Sequence, residues 1–127
     1  MSRSGPDERG VVAVELALLL PFLVLMVWGI IEFSRGYNAK VTVTHSAREG
    51  VRAYALDEDP VTAAKNAAGS LDPNSLTVTV SGAQPCTTGE QVSVTVSYPI
   101  DYEIPFFGGG TWTVSDTGTM RCEAGTP

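Results

Sequence analysis

The sequence predicts an α+β chain: a long amino-terminal transmembrane and amphipathic helix, a second short helix, and then a small antiparallel β-sheet of three to four strands packed on the first helix. Three observations predict it. An apolar run with Glu15 as its one charged residue extends from Val11 to Ile31, helical spacing of apolar and small residues continues to Ala55, and from Leu76 onward the spacing changes to two. In a chain of 127 residues, this divides residues 1–10 as a charged leader, 11–31 as a membrane helix, 32–56 as its extracytoplasmic continuation and 57–127 as one small α+β domain.

The apolar run sets the first element. As a helix it rises about 31 Å, against a hydrocarbon core of about 30 Å, so it crosses a bilayer once. Glu15 lies one turn inside it. A carboxylate in hydrocarbon costs on the order of 2.5 to 3.5 kcal/mol at the centre and less near an interface, so it calls for a partner. A cut after Gly10 would supply one. Val11 would then carry a new α-amino group four residues before Glu15, on the same helix face, and the pair would neutralise each other within one helix or between staggered neighbours. Gly10 also predicts a helix break that leaves an extended, accessible peptide. Pro21 removes a backbone donor and predicts a kink. A plain signal anchor or a secretory signal shares the charged leader and apolar run. For secretion the run is long, Glu15 is unfavourable, and Ser34-Arg35-Gly36 beside Glu32 is a poor cleavage context.

The helix continues because Phe33, Tyr37, Val41, Thr44, Ala47, Val51 and Ala55 recur at spacings of three and four. This stripe is expected to meet the sheet, or other subunits in an assembly. Asp57-Glu58-Asp59-Pro60 ends the first helix and starts the second, with Asp59 as cap and Pro60 at the first helical position; Gly69 closes it. The acidic run with Asp72 and Asn74 lacks the spaced oxygen ligands and terminal glutamate of a calcium loop, so capping and a Pro73-Asn74 turn account for it.

Three alternating runs follow: Leu76, Val78 and Val80; Val92, Val94, Val96 and Tyr98; and Trp112 and Val114 in phase with Met120 and Cys122. One apolar face each implies an antiparallel sheet on the helix. Pro99 and Pro105 bracket Ile100, Tyr102 and Ile104, which reads as an edge strand or extended loop. Asp101 and Glu103 are read as guards of that edge. The turn at Phe106-Phe107-Gly108-Gly109-Gly110 is expected to tuck its aromatics under the sheet rather than present them to a partner.

Cys86 and Cys122 could form a disulfide worth roughly 3 to 4 kcal/mol in the loop-entropy picture, or remain two buried thiols. A bridge implies an oxidising compartment and places the carboxyl-terminal domain outside the cytoplasm. The net charge of −6 disfavours nucleic acid as a partner, since counterion replacement needs a concentrated basic surface. Arg35, Lys40, Arg48 and Arg52 are interrupted by Glu32 and Glu49. His45 is the single histidine and has neither a recognisable nucleophile nor a second metal ligand at suitable spacing, and the glycine run lacks the lysine of a phosphate loop. We therefore expect neither catalysis nor a cofactor.

Gly10 followed by four apolar residues and Glu15 resembles the processing site of type IV pilin-related proteins. Arg9-Gly10, Val14-Glu15-Leu16-Ala17-Leu18, Leu20-Pro21-Phe22-Leu23, Gly29, Glu32-Phe33 and Arg48-Glu49-Gly50-Val51-Arg52-Ala53-Tyr54 are together similar to TadE-like proteins, over roughly residues 9 to 56. Leu16 departs from the pattern, in which an aromatic residue commonly follows the glutamate. The resemblance implies a minor pilin or pseudopilin of the tight-adherence (Flp) pilus apparatus. It further implies cleavage between Gly10 and Val11 by a membrane prepilin peptidase, and partners among other pilins, minor pilins and the Tad secretion machinery. It places the chain as a single pass of the cytoplasmic membrane, amino terminus inside and carboxyl-terminal domain outside. The competing readings are an uncleaved, membrane-anchored binding module and a pseudopilin of a type II secretion-like system.

Overall fold

The computed structural model describes residues 6–123. A 50-residue helix, α1 (Pro6–Ala55), is followed by α2 (Pro60–Asn66), then strands β1 (Thr77–Ser81), β2 (Gln91–Ile104) and β3 (Gly108–Arg121). The strands form one antiparallel meander in the order β1-β2-β3. The expected α+β order of one long helix, one short helix and a sheet is found, with three strands.

Helix α1 begins earlier than the sequence reading has it. Gly10 is inside the helix, which corrects the expectation of an extended peptide at that residue. Pro6 at the first position is preset for helical φ, and Asp7 and Glu8 in the first turn complement the helix dipole. Together they offset the roughly 1 kcal/mol that glycine costs in a helix interior. At the other end, Asp57 adopts a positive φ of 62°. The Glu58 amide donates to the Ala53 carbonyl at 2.8 Å and the Asp57 amide to that of Tyr54 at 3.1 Å. This is a Schellman termination with aspartate in the left-handed position. Asp59 then caps α2, accepting from the Val61 amide at 3.1 Å, with Pro60 at the first helical position as its residue type requires.

The core lies between the carboxyl-terminal half of α1 and the inner face of the sheet. Ala39, Val43, Ala47, Val51 and Tyr54 meet Val92, Val94, Val96, Ile100 and Val114, with Ala64, Ala68 and Leu76 closing the top. Ala47, Val51 and Ala55 of the expected α1 stripe are buried, but toward the amino-terminal half the buried stripe is rotated from the expected one. Its lower course runs through Gly36, Ala39 and Val43, whereas Phe33 is 75% exposed and Tyr37 and Val41 are also open. Small residues win this face because they let the sheet approach the helix backbone closely. At Gly118 of β3 an ideal Cβ would stand 2.8 Å from the Ala47 carbonyl oxygen, a contact no side chain tolerates.

β1 pairs only with Ser93 to Ser97 of β2. β2 and β3 remain paired from Gln91↔Arg121 to Ile104↔Gly108. Beyond Ser97 they form a two-stranded ribbon with an open edge, which is where Pro99 is tolerated. The segment read as an edge strand or loop is thus the outer half of β2. Cys86 in the β1–β2 connection is bonded to Cys122 just after β3, with Cα atoms 5.9 Å apart. Two backbone bonds, Gly89 amide to Cys122 carbonyl at 2.9 Å and Cys122 amide to Glu90 carbonyl at 2.8 Å, hold the same corner.

Candidate functional site

The amino-terminal half of α1 is the candidate site, since it carries the chemistry that an anchor alone does not need. From Val11 to Ile31 nearly every large apolar side chain is exposed, Val11 by 67%. The apolar stretch meets the length and composition of a membrane span, and none of it is buried within the described residues. Gly10, Val11 and Glu15 are brought onto one continuous helix, with Val11 and Glu15 a turn apart. An added Cβ at Gly10 would meet nothing within 4 Å, so no neighbour in the described chain requires glycine there. Glu15 is exposed, and no hydrogen bond or ion pair holds it among the described residues.

The ribbon of β2 and β3 lies along α1 and reaches back toward this half. Gly118 faces Ala47, and the Thr44 hydroxyl donates to Asp116 at 2.6 Å. Further down, the Lys40 ammonium donates to the Ser115 carbonyl, and the Trp112 ring lies over Gly36, where an added Cβ would come within 2.6 Å of it. The last rung is the indole N–H of Trp28, which donates to the Glu103 carbonyl at 2.7 Å. Asp116 is held below the usual carboxylate range, first by the Thr44 hydroxyl, then by the Thr117 amide and by the charges of Lys40 and Arg48.

At the hairpin end the aromatics are not tucked. Phe106 is 99% and Phe107 77% exposed, which corrects the expectation that they pack under the sheet. The turn lies past the packed core, and Phe107 only rims the open groove it shares with Leu25, Trp28 and Phe33 of α1. The sequence reading counted Trp28 as one more apolar residue and Trp112 as part of a strand's apolar face, whereas Trp112 is 48% exposed. The preference of tryptophan for the membrane interface was the available signal.

Residues 10–52 match the family model described as TadE-like protein. Over this segment the chain is similar to TadE-like proteins. The matched segment takes in Gly10, Glu15, the whole apolar run and the exposed Phe33, Tyr37 and Val41, and ends within the core-facing part of α1. It leaves out α2 and the sheet. No curated protein and no solved structure matches the chain. Among the described residues there is no group of three or more His, Cys, Asp or Glu side chains placed to hold a metal ion.

Proposed function

We propose that this chain is a membrane-anchored minor pilin or pseudopilin of a Tad (Flp) pilus system, with a structural rather than enzymatic role. The observation that carries the reading is the coincidence of the TadE-like match with the exposed apolar helix bearing Gly10 and Glu15. A prepilin peptidase cuts after Gly10, and the new amine at Val11 pairs with Glu15 of its own or a neighbouring helix. In hydrocarbon such a pair sets the stagger between helices, because an unpaired carboxylate there is costly. Gly10 is helical, so the peptidase must first open the initial turn and a half of α1. Helix ends open at little cost, and Gly10 lies within the part that frays. The Cys86–Cys122 bridge supports an oxidising compartment for the sheet domain.

The exposed Phe33, Tyr37 and Val41 supply a second contact surface continuous with the membrane helix. The rings of Phe33 and Tyr37 are stacked with centroids 6.4 Å apart. A subunit packed on this face would bury apolar surface that the chain's own sheet leaves open. The test is Glu15→Ala. It should insert in the membrane as the wild type does, yet reach the sheared pilus fraction or co-purify with partner pilins at least tenfold less. Equal incorporation would remove Glu15 from the assembly role.

A further inference from the structure

We propose that the tip of the β2–β3 hairpin is a second membrane contact, in which Ile104, Phe106 and Phe107 enter the boundary of the same bilayer that α1 crosses. The inference rests on the reading of α1 as a membrane span and adds a lipid-binding surface far from it in sequence.

Depth is the first argument. The Trp28 indole bonded to the Glu103 carbonyl at 2.7 Å fixes the hairpin beside the span. A groove of about 560 Å³ continues below this bond, bounded by Leu25, Trp28 and Phe33 on the helix and by Ile104, Phe107 and Trp112 on the ribbon. Leu25 precedes the end of the apolar run at Ile31 by six residues, about 9 Å of helical rise. Interfacial segments bury their apolar faces roughly 5–10 Å into the headgroup and acyl boundary. With α1 spanning, the hairpin tip therefore lies at membrane depth.

Backbone conformation is the second argument. The Phe107 amide donates to the Ile104 carbonyl at 3.1 Å, Pro105 occupies the second position of this turn, and Phe106 the third with φ 70°. This is the type II arrangement, whose third position belongs to glycine. A phenylalanine there is strained, and with 99% exposure it packs on nothing among the described residues. Its ring serves something outside the chain.

Charge placement chooses lipid as that occupant. The acidic groups of the ribbon, Asp101 and Glu103, alternate to the face opposite Tyr102 and Ile104, and Asp101 is held by the Thr111 hydroxyl at 2.7 Å. Glu32 and Arg35 pair at 2.9 Å just past the span. The tip itself, residues 104–108, carries no charge, so its attraction to the membrane is apolar and needs no anionic lipid. The groove's one charged lining residue, Glu32, is the one paired with Arg35, and the tip continues the apolar surface of Leu25 and Trp28.

The test uses the full chain in phosphatidylcholine liposomes, with nitroxide labels placed singly at Phe106→Cys and Phe107→Cys and their collisions with oxygen and with a water-soluble nickel chelate compared. Labels at Leu18→Cys, within the span, and Thr79→Cys, on β1, give the references. Oxygen-to-nickel collision ratios at both tip sites should lie several-fold above that at Thr79 and below that at Leu18. A tip as nickel-accessible as Thr79, with Leu18 still in lipid, overturns the proposal and leaves the span intact. Labels shielded from both reagents and broadened by one another place the tip against a second copy, which also overturns it. A nickel-accessible Leu18 removes the span, and the hairpin contact with it.

Discussion

Asp116 projects from β3 toward α1, where the Thr44 hydroxyl donates to one carboxylate oxygen at 2.6 Å and the Thr117 amide to the other at 2.9 Å. Both bonds favour the ionised form, so its native pKa lies below the ordinary value. The stabilisation is then complete above the ordinary carboxylate pKa and is lost as pH falls through the lower native one. Asp59 is lowered in the same direction, with the Thr62 hydroxyl as first cause, and loses its contribution in the same acid window. Asp116→Asn should cost about 0.5 to 1 kcal/mol at pH 7, the low end for a charge-assisted bond because the site is half open to water. Thermal unfolding of the full chain in detergent should also show a shallower loss of stability below pH 4 than the wild type. An acid limb as steep as the wild type's would mean that Asp116 does not carry it.

At the scale of elements, the Cys86–Cys122 bridge ties the β1–β2 connection to the end of β3 across a sequence separation of 36. The corner is otherwise held by a few backbone bonds and by the Tyr54 hydroxyl, which donates to the Ala83 carbonyl at 2.5 Å. Closing a loop of that length contributes about 4 kcal/mol in the chain-entropy picture. Cys86→Ser should lower the unfolding midpoint by roughly 10 °C or more for a domain of this size, and reductant should do the same to the wild type. An unchanged midpoint in both would remove the bridge from the stability of the domain. The order of elements was legible because a change of period from 3.6 to 2 is dictated by backbone geometry. The buried face of α1 was legible only at Ala47, Val51 and Ala55. Phe33, Tyr37 and Val41 look like a core by size, yet Gly36, Ala39 and Gly118 decide the matter by letting backbones approach. The Phe106-Phe107 turn was misread for a related reason: apolar side chains are assigned to a core by default, and only the fold shows that the turn lies past the core with both rings open.

At the scale of the molecule, one helix serves two environments. Its carboxyl-terminal half is buried under a sheet, and its amino-terminal half is exposed over a membrane's thickness. The β2–β3 ribbon tracks the helix from Gly50, whose added Cβ would lie 3.1 Å from Val94, down to Trp28, about 33 Å of helical rise. That Val11 and Glu15 share a helix one turn apart was legible because it depends only on spacing along one helix. Trp28 and Trp112 were not, because only the folded ribbon brings them to one groove. The account's central claim is that the exposed half becomes an assembly helix by cleavage. The most direct test is the amino terminus of the mature protein, determined by terminal sequencing and intact mass from a membrane fraction of a source that retains its own peptidases. The account predicts a chain that starts at Val11. A chain that retains residues 1–10 would contradict it, and one that starts at Tyr37 would contradict the membrane anchor as well.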